Sequence, residues 1–423
     1  MVGQNGGAAF VLVYLAFALL LCVPIFVSES IIGKKTQLGT FGAMEALAPG
    51  TRWKWMGFFT VLTPLIILSF YSVVGGWSID YLIRALGLSF SDPTVSQVEH
   101  SAVFGSFISS PWKPLVFHTA FIAINVAVVM AGVRKGIEVF TKFTTPVLFV
   151  LIVTIMVYSL SLPGSGAGVE YLVKPDFSKL TSSAVLSALG QAFFSLSLGV
   201  GCVLTYSSYL KKDESLLATS SLTVVFDLIF ALIAGFAIMP AVFAAGIEPG
   251  AGPGLLFETL PYIFSQMGAQ SSALSATVAI LFFLTILFAA LTSSVSMLEV
   301  GVAFLVDQKG MSRRRATLLL GAGCWALGVL CSLSFGPLSG VHILGLGIFD
   351  FCDRLTSNFL MTFGSLLFVI FVGWKMDKSD VRDEFTNHGR LKAGVRLFDA
   401  LYVFIRYVAP VAIAVIFVSN LIS

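Results

Sequence analysis

Long apolar runs constrain this chain more than any other feature of its sequence. About ten stretches reach the roughly 20 apolar residues that a bilayer crossing needs: 8–28, 56–87, 115–133, 143–163, 183–209, 217–245, 271–305, 316–335, 341–374 and 398–421. Composition agrees. Of 423 residues, 57% are hydrophobic and only 11% charged, whereas soluble domains carry about 25% charge. The reading is an all-α polytopic, multi-pass membrane protein with the lipid bilayer as its solvent. Lys and Arg fix its orientation. Lys34, Lys35, Arg134, Lys135, Lys211, Lys212, Arg313, Arg314, Arg315 and Lys375 fall in connectors on one side, which is therefore cytoplasmic. Arg84, Lys113, Lys174, Lys179 and Arg354 fall on the other. With ten spans, both termini lie outside.

Several function classes lose support at once. There is no basic patch interleaved with aromatics, so nucleic acid is not an expected partner. A Walker A loop is missing, so ATP-driven pumping lacks its signature. Cys22, Cys202, Cys324, Cys331 and Cys352 sit in or beside apolar runs without a CxxC pair, which favours packing over disulfides or metal. No acid/base pair or metal cluster points to a membrane enzyme. The outer loop 246–270 contains LLFETLPYIFSQM, a short apolar helix that reads as a lid or re-entrant element. The segment 375–397 mixes charges and reads as a solvated connector.

Stretch 183–209 is unlike the others. Its middle, Phe193-Phe194-Ser195-Leu196-Ser197-Leu198-Gly199-Val200-Gly201, puts hydroxyls and glycines where a plain span wants Leu and Ile. Gly weakens a helix interior, and Ser competes for backbone hydrogen bonds. A break here frees polar backbone at membrane depth, which is tolerable only against protein or a wet cavity. Such breaks form ion and substrate sites, although small residues also serve close helix packing.

Other polar groups at depth are candidates by the same logic. Asp227 lies in TVVFDLIFALIAG with no Lys or Arg in its own span, so it needs a cation, a proton or a remote partner. Ala289, Thr292, Ser293 and Met297 recur at i, i+3, i+4 and i+8 and share one helix face. Two hydroxyls and a carbonyl there suit a hard cation, or helix–helix hydrogen bonding. Tyr71 is either a structural hydrogen-bond donor or a ligand donor. Glu29 lies near the inner end of the first span, where snorkelling is the simple alternative. Asp307, Asp350, Asp353 and Arg354 read singly as interfacial charges.

Taken together, GQAFFSLSLG with TYSSYL, PLIILSFYSVVGGW, GVRKGIE, LTSSVSMLE and FIRYVAP resemble the neurotransmitter:sodium symporters, in particular their bacterial amino-acid branch. The resemblance covers essentially the whole chain. It implies a leucine-transporter-like inverted repeat, with 1–182 as the remainder of the first repeat, 183–374 as the second, and 375–423 as inner connector and final helix. It also implies a Na⁺-coupled symporter of small neutral or hydrophobic amino acids in a plasma membrane, a bacterial inner membrane by its branch. Carried over position by position, Ile67, Tyr71, Phe194, Ser195, Ser197, Gly199, Val200 and Met297 line the substrate pocket. Tyr71 donates to the substrate carboxylate, and Phe194 is the outer lid. Ser195 and Asp227 belong to a first sodium site; Ala289, Thr292 and Ser293 belong to a second. The family's chloride position falls at Ala231, which implies chloride independence with Asp227 supplying the negative charge. Glu29 braces the unwound helix. Asp353 matches the outer gate, and Tyr209 with Asp307 the inner gate.

One departure is large. The family's leading helix, with an Asn-containing break and an Arg-Phe-Pro run, should precede Gln4-Asn5-Gly6-Gly7. The expectation is that this helix of the first repeat is missing, and with it part of both sodium shells. The alternative function is therefore a non-transporting membrane relative with a structural or partner-binding role. The sequence fixes neither the oligomeric state nor the amino acid carried.

Overall fold

The computed structural model describes residues 2–247, 254–390 and 392–422. Among them, nine helices are long and apolar enough to cross a membrane. In chain order the helices that matter are α1 (Ala8–Thr36), α2 (Lys54–Leu86), α3 (Lys113–Met130) and α4 (Val133–Ser161). Then come two short helices, α5 (Ser182–Ser195) and α6 (Cys202–Ser207), and the long α7 (Leu216–Ala244). They are followed by the short α8 (Leu260–Met267), then α9 (Ser272–Lys309), α10 (Arg313–Leu333) and α11 (Ile348–Lys375). The short α12 (Lys378–Phe385) and the long α13 (Leu397–Ser419) complete the order. The expected count of about ten thus becomes nine continuous helices plus the interrupted pair α5/α6, which occupies stretch 183–209.

Local sequence chemistry sets the helix starts. Thr181 Oγ1, Ser215 Oγ and Ser271 Oγ accept from Ala184, Ala218 and Leu274 backbone N–H, capping α5, α7 and α9. Pro64, Pro146 and Pro240 lie inside α2, α4 and α7; spanning helices tolerate proline because neighbours satisfy the freed groups. Two buried clusters hold the bundle. One gathers α2, α3, α9 and α10; the other gathers α1, α5, α6, α11 and α13. Within the second, backbone contact is close: a Cβ on Gly33 of α1 would sit 2.1 Å from the Leu204 carbonyl of α6.

Three expectations need correction or extension. The apolar run from 341 does not start a helix. His342–Ile343 pairs antiparallel with Leu346–Gly347, and the helix begins at Ile348. Positive φ at Leu344 and Gly345 makes that tight turn. Segment 375–397 is more than a solvated connector. Val381 and Phe385 stand one turn apart on α12 and are buried. Lys34 of α1, 1% exposed, lies beneath that helix, with Nζ 3.7 Å from Glu384 and bonded to Asn387 Oδ1 at 3.3 Å. The short apolar helix of loop 246–270 is present as α8. Phe257, just before it, is stacked on Phe104 and edge-on to Trp77 at the outer end of α2. Residues 248–253 of that loop lie outside the described residues.

Candidate functional site

The chain between α5 and α6 leaves helical geometry at Leu196 and regains it at Cys202. Ser197, Gly199 and Gly201 take positive φ of 52°, 78° and 71°, a region that costs an L-residue roughly 1–2 kcal/mol and glycine almost nothing. Part of the freed backbone caps α5: Ser197 and Leu198 N–H donate to the Phe194 and Phe193 carbonyls. Gly199 N–H finds no helical acceptor and donates to Glu29 Oε1 at 2.7 Å. Glu29 is fully buried, its other carboxylate oxygen has no partner among the described residues, and its side chain does not reach for the interface. Glycine is required at 199 for a second reason. A Cβ there would lie 2.0 Å from the Met361 carbonyl of α11, and one on Gly364 would lie 2.1 Å from the Gly199 carbonyl.

A cavity of about 460 Å³ opens beside the break. Ser195 and Ser197 line it from the break, Asp227 from α7, and Thr292 and Ser293 from α9. Ser195 donates to Asp227 Oδ2 at 2.7 Å and accepts from the Tyr14 hydroxyl at 3.3 Å. Thr292 Oγ1 donates to the Ala289 carbonyl at 2.9 Å, which brings two oxygens of α9 together next to Ser293. Tyr71 places its hydroxyl against Ser293. Ile67, Val200 and Met297 are buried in the core behind this wall rather than in it. Phe194 is 38% exposed and is not among the residues lining the cavity. The result is a polar hollow holding one carboxylate and several hydroxyls, bounded by unwound backbone. Its size is that of a small-molecule site, and its oxygens suit a hard cation.

Residues 1–101 and 109–423 match the sodium:neurotransmitter symporter family. The chain belongs to that family. It is accordingly a sodium-dependent transporter and not an enzyme, and it is a multi-pass membrane protein. The chain is 38% identical over 417 residues to an uncharacterised sodium-dependent transporter of Bacillus subtilis (strain 168), covering 99% of this chain and 90% of that one. A second such transporter, from Haemophilus influenzae, is 33% identical and is covered to 92%. The crystal structure of MhsT in complex with L-phenylalanine superposes with a TM-score of 0.89 at 39% identity, over 99% of this chain and 93% of MhsT. That likeness gives the symporter its leucine-transporter-like architecture.

At the inner end of the symporter, Tyr209 donates to Glu299 Oε1 at 2.6 Å. Arg313 grips the same carboxylate with both terminal nitrogens, one to Oε1 at 3.1 Å and the other to Oε2, and its Nε bonds the Val129 carbonyl at 2.8 Å. Tyr209 therefore meets Glu299 and not Asp307, whose Oδ2 accepts from Gly39 N–H at 3.3 Å. At the outer end, Asp353 is exposed and accepts from Ser357 at 2.9 Å. Ala231 lies one turn of α7 beyond Asp227, on a separate cavity that it shares with Tyr14 and Gln191. Sequence reasoning missed Glu299, Arg313 and Tyr14. A signal existed for the first: Glu299 is a carboxylate inside an apolar span, the property that singled out Asp227.

Proposed function

We propose that the chain carries small neutral or hydrophobic amino acids across a bacterial plasma membrane, driven by Na⁺ and without a need for chloride. The observation that carries this reading is the convergence of Ser195, Asp227, Thr292 and Ser293 on one cavity beside an unwound, membrane-depth backbone. The Asp227 carboxylate, bonded to Ser195, offers a fixed negative charge for one Na⁺. The Ala289 carbonyl with Thr292 and Ser293 offers uncharged oxygens for another. Unwound backbone around Ser197 and Gly199, with the Tyr71 hydroxyl, receives the amino-acid carboxylate. Asp353 serves closure on the outside, and Tyr209, bonded to the Glu299 carboxylate that Arg313 grips, serves it on the inside. MhsT, crystallised with L-phenylalanine, supports an apolar substrate.

The test is uptake of labelled L-phenylalanine and L-alanine into liposomes holding the purified protein, under an inward Na⁺ gradient. Uptake should require Na⁺ and be unaltered when gluconate replaces chloride. Asp227→Asn should weaken Na⁺ dependence or create a need for an anion, since Asp227 is the one charged side chain lining the cavity among the described residues. Equal uptake with K⁺ in place of Na⁺ would refute the coupling, and a chloride requirement in the unmutated protein would refute the charge assignment.

A further inference from the structure

Away from the transport cavity, the inner ends of α11 and α13 meet at a cationic group that the transport reading leaves unused. Gly373 allows the contact: a Cβ there would lie 2.9 Å from Arg406 Cα. Two hydrogen bonds fix the register. Trp374 Nε1 donates to the Arg406 carbonyl at 2.9 Å, and the Tyr402 hydroxyl donates to the Gly373 carbonyl at 3.2 Å. The Arg406 guanidinium then lies 4.7 Å from the Trp374 ring centroid and 5.6 Å from that of Tyr407. Its Nε is buried and has no hydrogen-bond partner among the described residues. No described carboxylate lies within ion-pair distance of it: Asp399 pairs with Lys378 at 2.9 Å, and Asp377, at the start of α12, is in no ion pair with Arg406. A guanidinium carries five donors in a fixed fork that matches phosphate. Here that fork is positioned by two rings and is in no ion pair among the described residues.

The surroundings indicate the anion. Trp374 and Tyr407 are 58% and 51% exposed, in the manner of aromatics at a headgroup boundary. Beyond them along α13, Val411 and Val415 are exposed apolar residues against which acyl chains can lie. Lys375, the last residue of α11, adds an exposed positive charge next to Trp374. The Lys and Arg distribution puts this end on the cytoplasmic side, where anionic lipids attract basic groups between spanning helices. We infer that Arg406, framed by Trp374 and Tyr407, binds the phosphate of an anionic phospholipid headgroup in the inner leaflet, with the acyl chains on α13.

The experiment is native mass spectrometry of the whole protein released from detergent after exposure to phosphatidylglycerol or phosphatidylcholine. The unmutated protein should retain one phosphatidylglycerol more than it retains phosphatidylcholine. Arg406→Gln should lower that retention about tenfold or more, the scale of a lost charged hydrogen-bond pair. Arg406→Lys should fall between, and Lys142→Gln, at an exposed lysine paired with Glu138, should change nothing. Trp374→Leu keeps the charge and removes the ring, and should weaken retention severalfold; it also carries the test if Arg406→Gln fails to fold. Equal retention by Arg406→Gln, or by Trp374→Leu where the former does not fold, overturns the site and leaves Arg406 as a snorkelling side chain. Displacement of the lipid by millimolar inorganic phosphate overturns the lipid assignment in favour of a free anion.

Discussion

α5/α6 and α9 are built from similar residues and behave in opposite ways. Both carry Ser beside small or apolar residues at membrane depth, yet one is interrupted for six residues and the other runs unbroken for 38. In α9 the hydroxyls bond back to the helix's own backbone, Thr292, Ser294 and Ser296 to the Ala289, Leu291 and Thr292 carbonyls, while Ser294 and Ser296 also reach Asn125 and Tyr206 on neighbouring helices. Those bonds satisfy the side chains without disturbing the backbone ladder. In the α5/α6 stretch, glycines at positive φ end the ladder, and groups from distant helices complete it. The contrast teaches that hydroxyl content does not break a spanning helix. Breaking needs backbone freedom and an external acceptor, here Glu29 of α1.

The strongest way to break the contrast is Gly199→Ala. It forces an L-residue to φ 78° and sets a Cβ 2.0 Å from the Met361 carbonyl. A cost above about 3 kcal/mol is expected from strain and overpacking combined, seen as loss of the monodisperse peak in size-exclusion chromatography. Normal yield and melting temperature would show that the break is not held by glycine. Next in size is Glu29→Leu, which leaves Gly199 N–H buried and unpaired for about 1–3 kcal/mol. Glu29→Gln keeps an acceptor and should cost clearly less; equal thermal shifts for the two would remove the brace. Thr292→Ala with Ser293→Ala sharpens the other side, because α9 should remain folded while its proposed cation face is emptied. The Na⁺ concentration for half-maximal uptake should rise about tenfold, the effect of roughly 1.4 kcal/mol, at unchanged melting temperature. A lower melting temperature with unchanged Na⁺ dependence would make those hydroxyls structural. Tyr71→Phe should weaken amino-acid binding by about 1–3 kcal/mol, read by scintillation proximity, and an unaltered affinity would take Tyr71 out of the pocket. The smallest effect, of opposite sign, is expected at Gly190 inside α5, where a Cβ would meet nothing within 4 Å. Gly190→Ala should stabilise by about 0.5–1 kcal/mol. Destabilisation there would mean that α5 itself is strained.

Much of the fold was legible because a spanning run is a local property. Twenty apolar residues announce themselves without reference to their neighbours, and so does a run such as Ser195 to Gly201. The hairpin at His342–Gly347 was hidden because apolar residues in a tight turn look like the start of a span. The packing of α12 on Lys34 was hidden because Val381 and Phe385 are a sparse signal among charges. In the candidate site, Ser195, Ser197, Asp227, Thr292 and Ser293 line one cavity; residue chemistry marked them stretch by stretch, and only the resemblance grouped them. The bond between Glu299 and Arg313 was not foreseen, because a partner 14 residues away lies on the next helix, across the α9–α10 connector, where no helical spacing rule reaches. Tyr14 went unnoticed for a similar reason: nothing local marks it as the neighbour of Ser195, 181 residues on.

The backbone contact between Gly199 and Gly364 has a mechanical consequence. Two main chains touching without side chains between them have nothing compressible at the joint. Three positive φ angles in five residues uncouple the twist of α5 from that of α6, so neither half transmits torque to the other. Either half can tilt only about a point clamped by α11 on one flank and by the Glu29 carboxylate of α1 on the other. Any tilt of either half would therefore pivot at the Gly199–Gly364 joint, as a lever does at its axle.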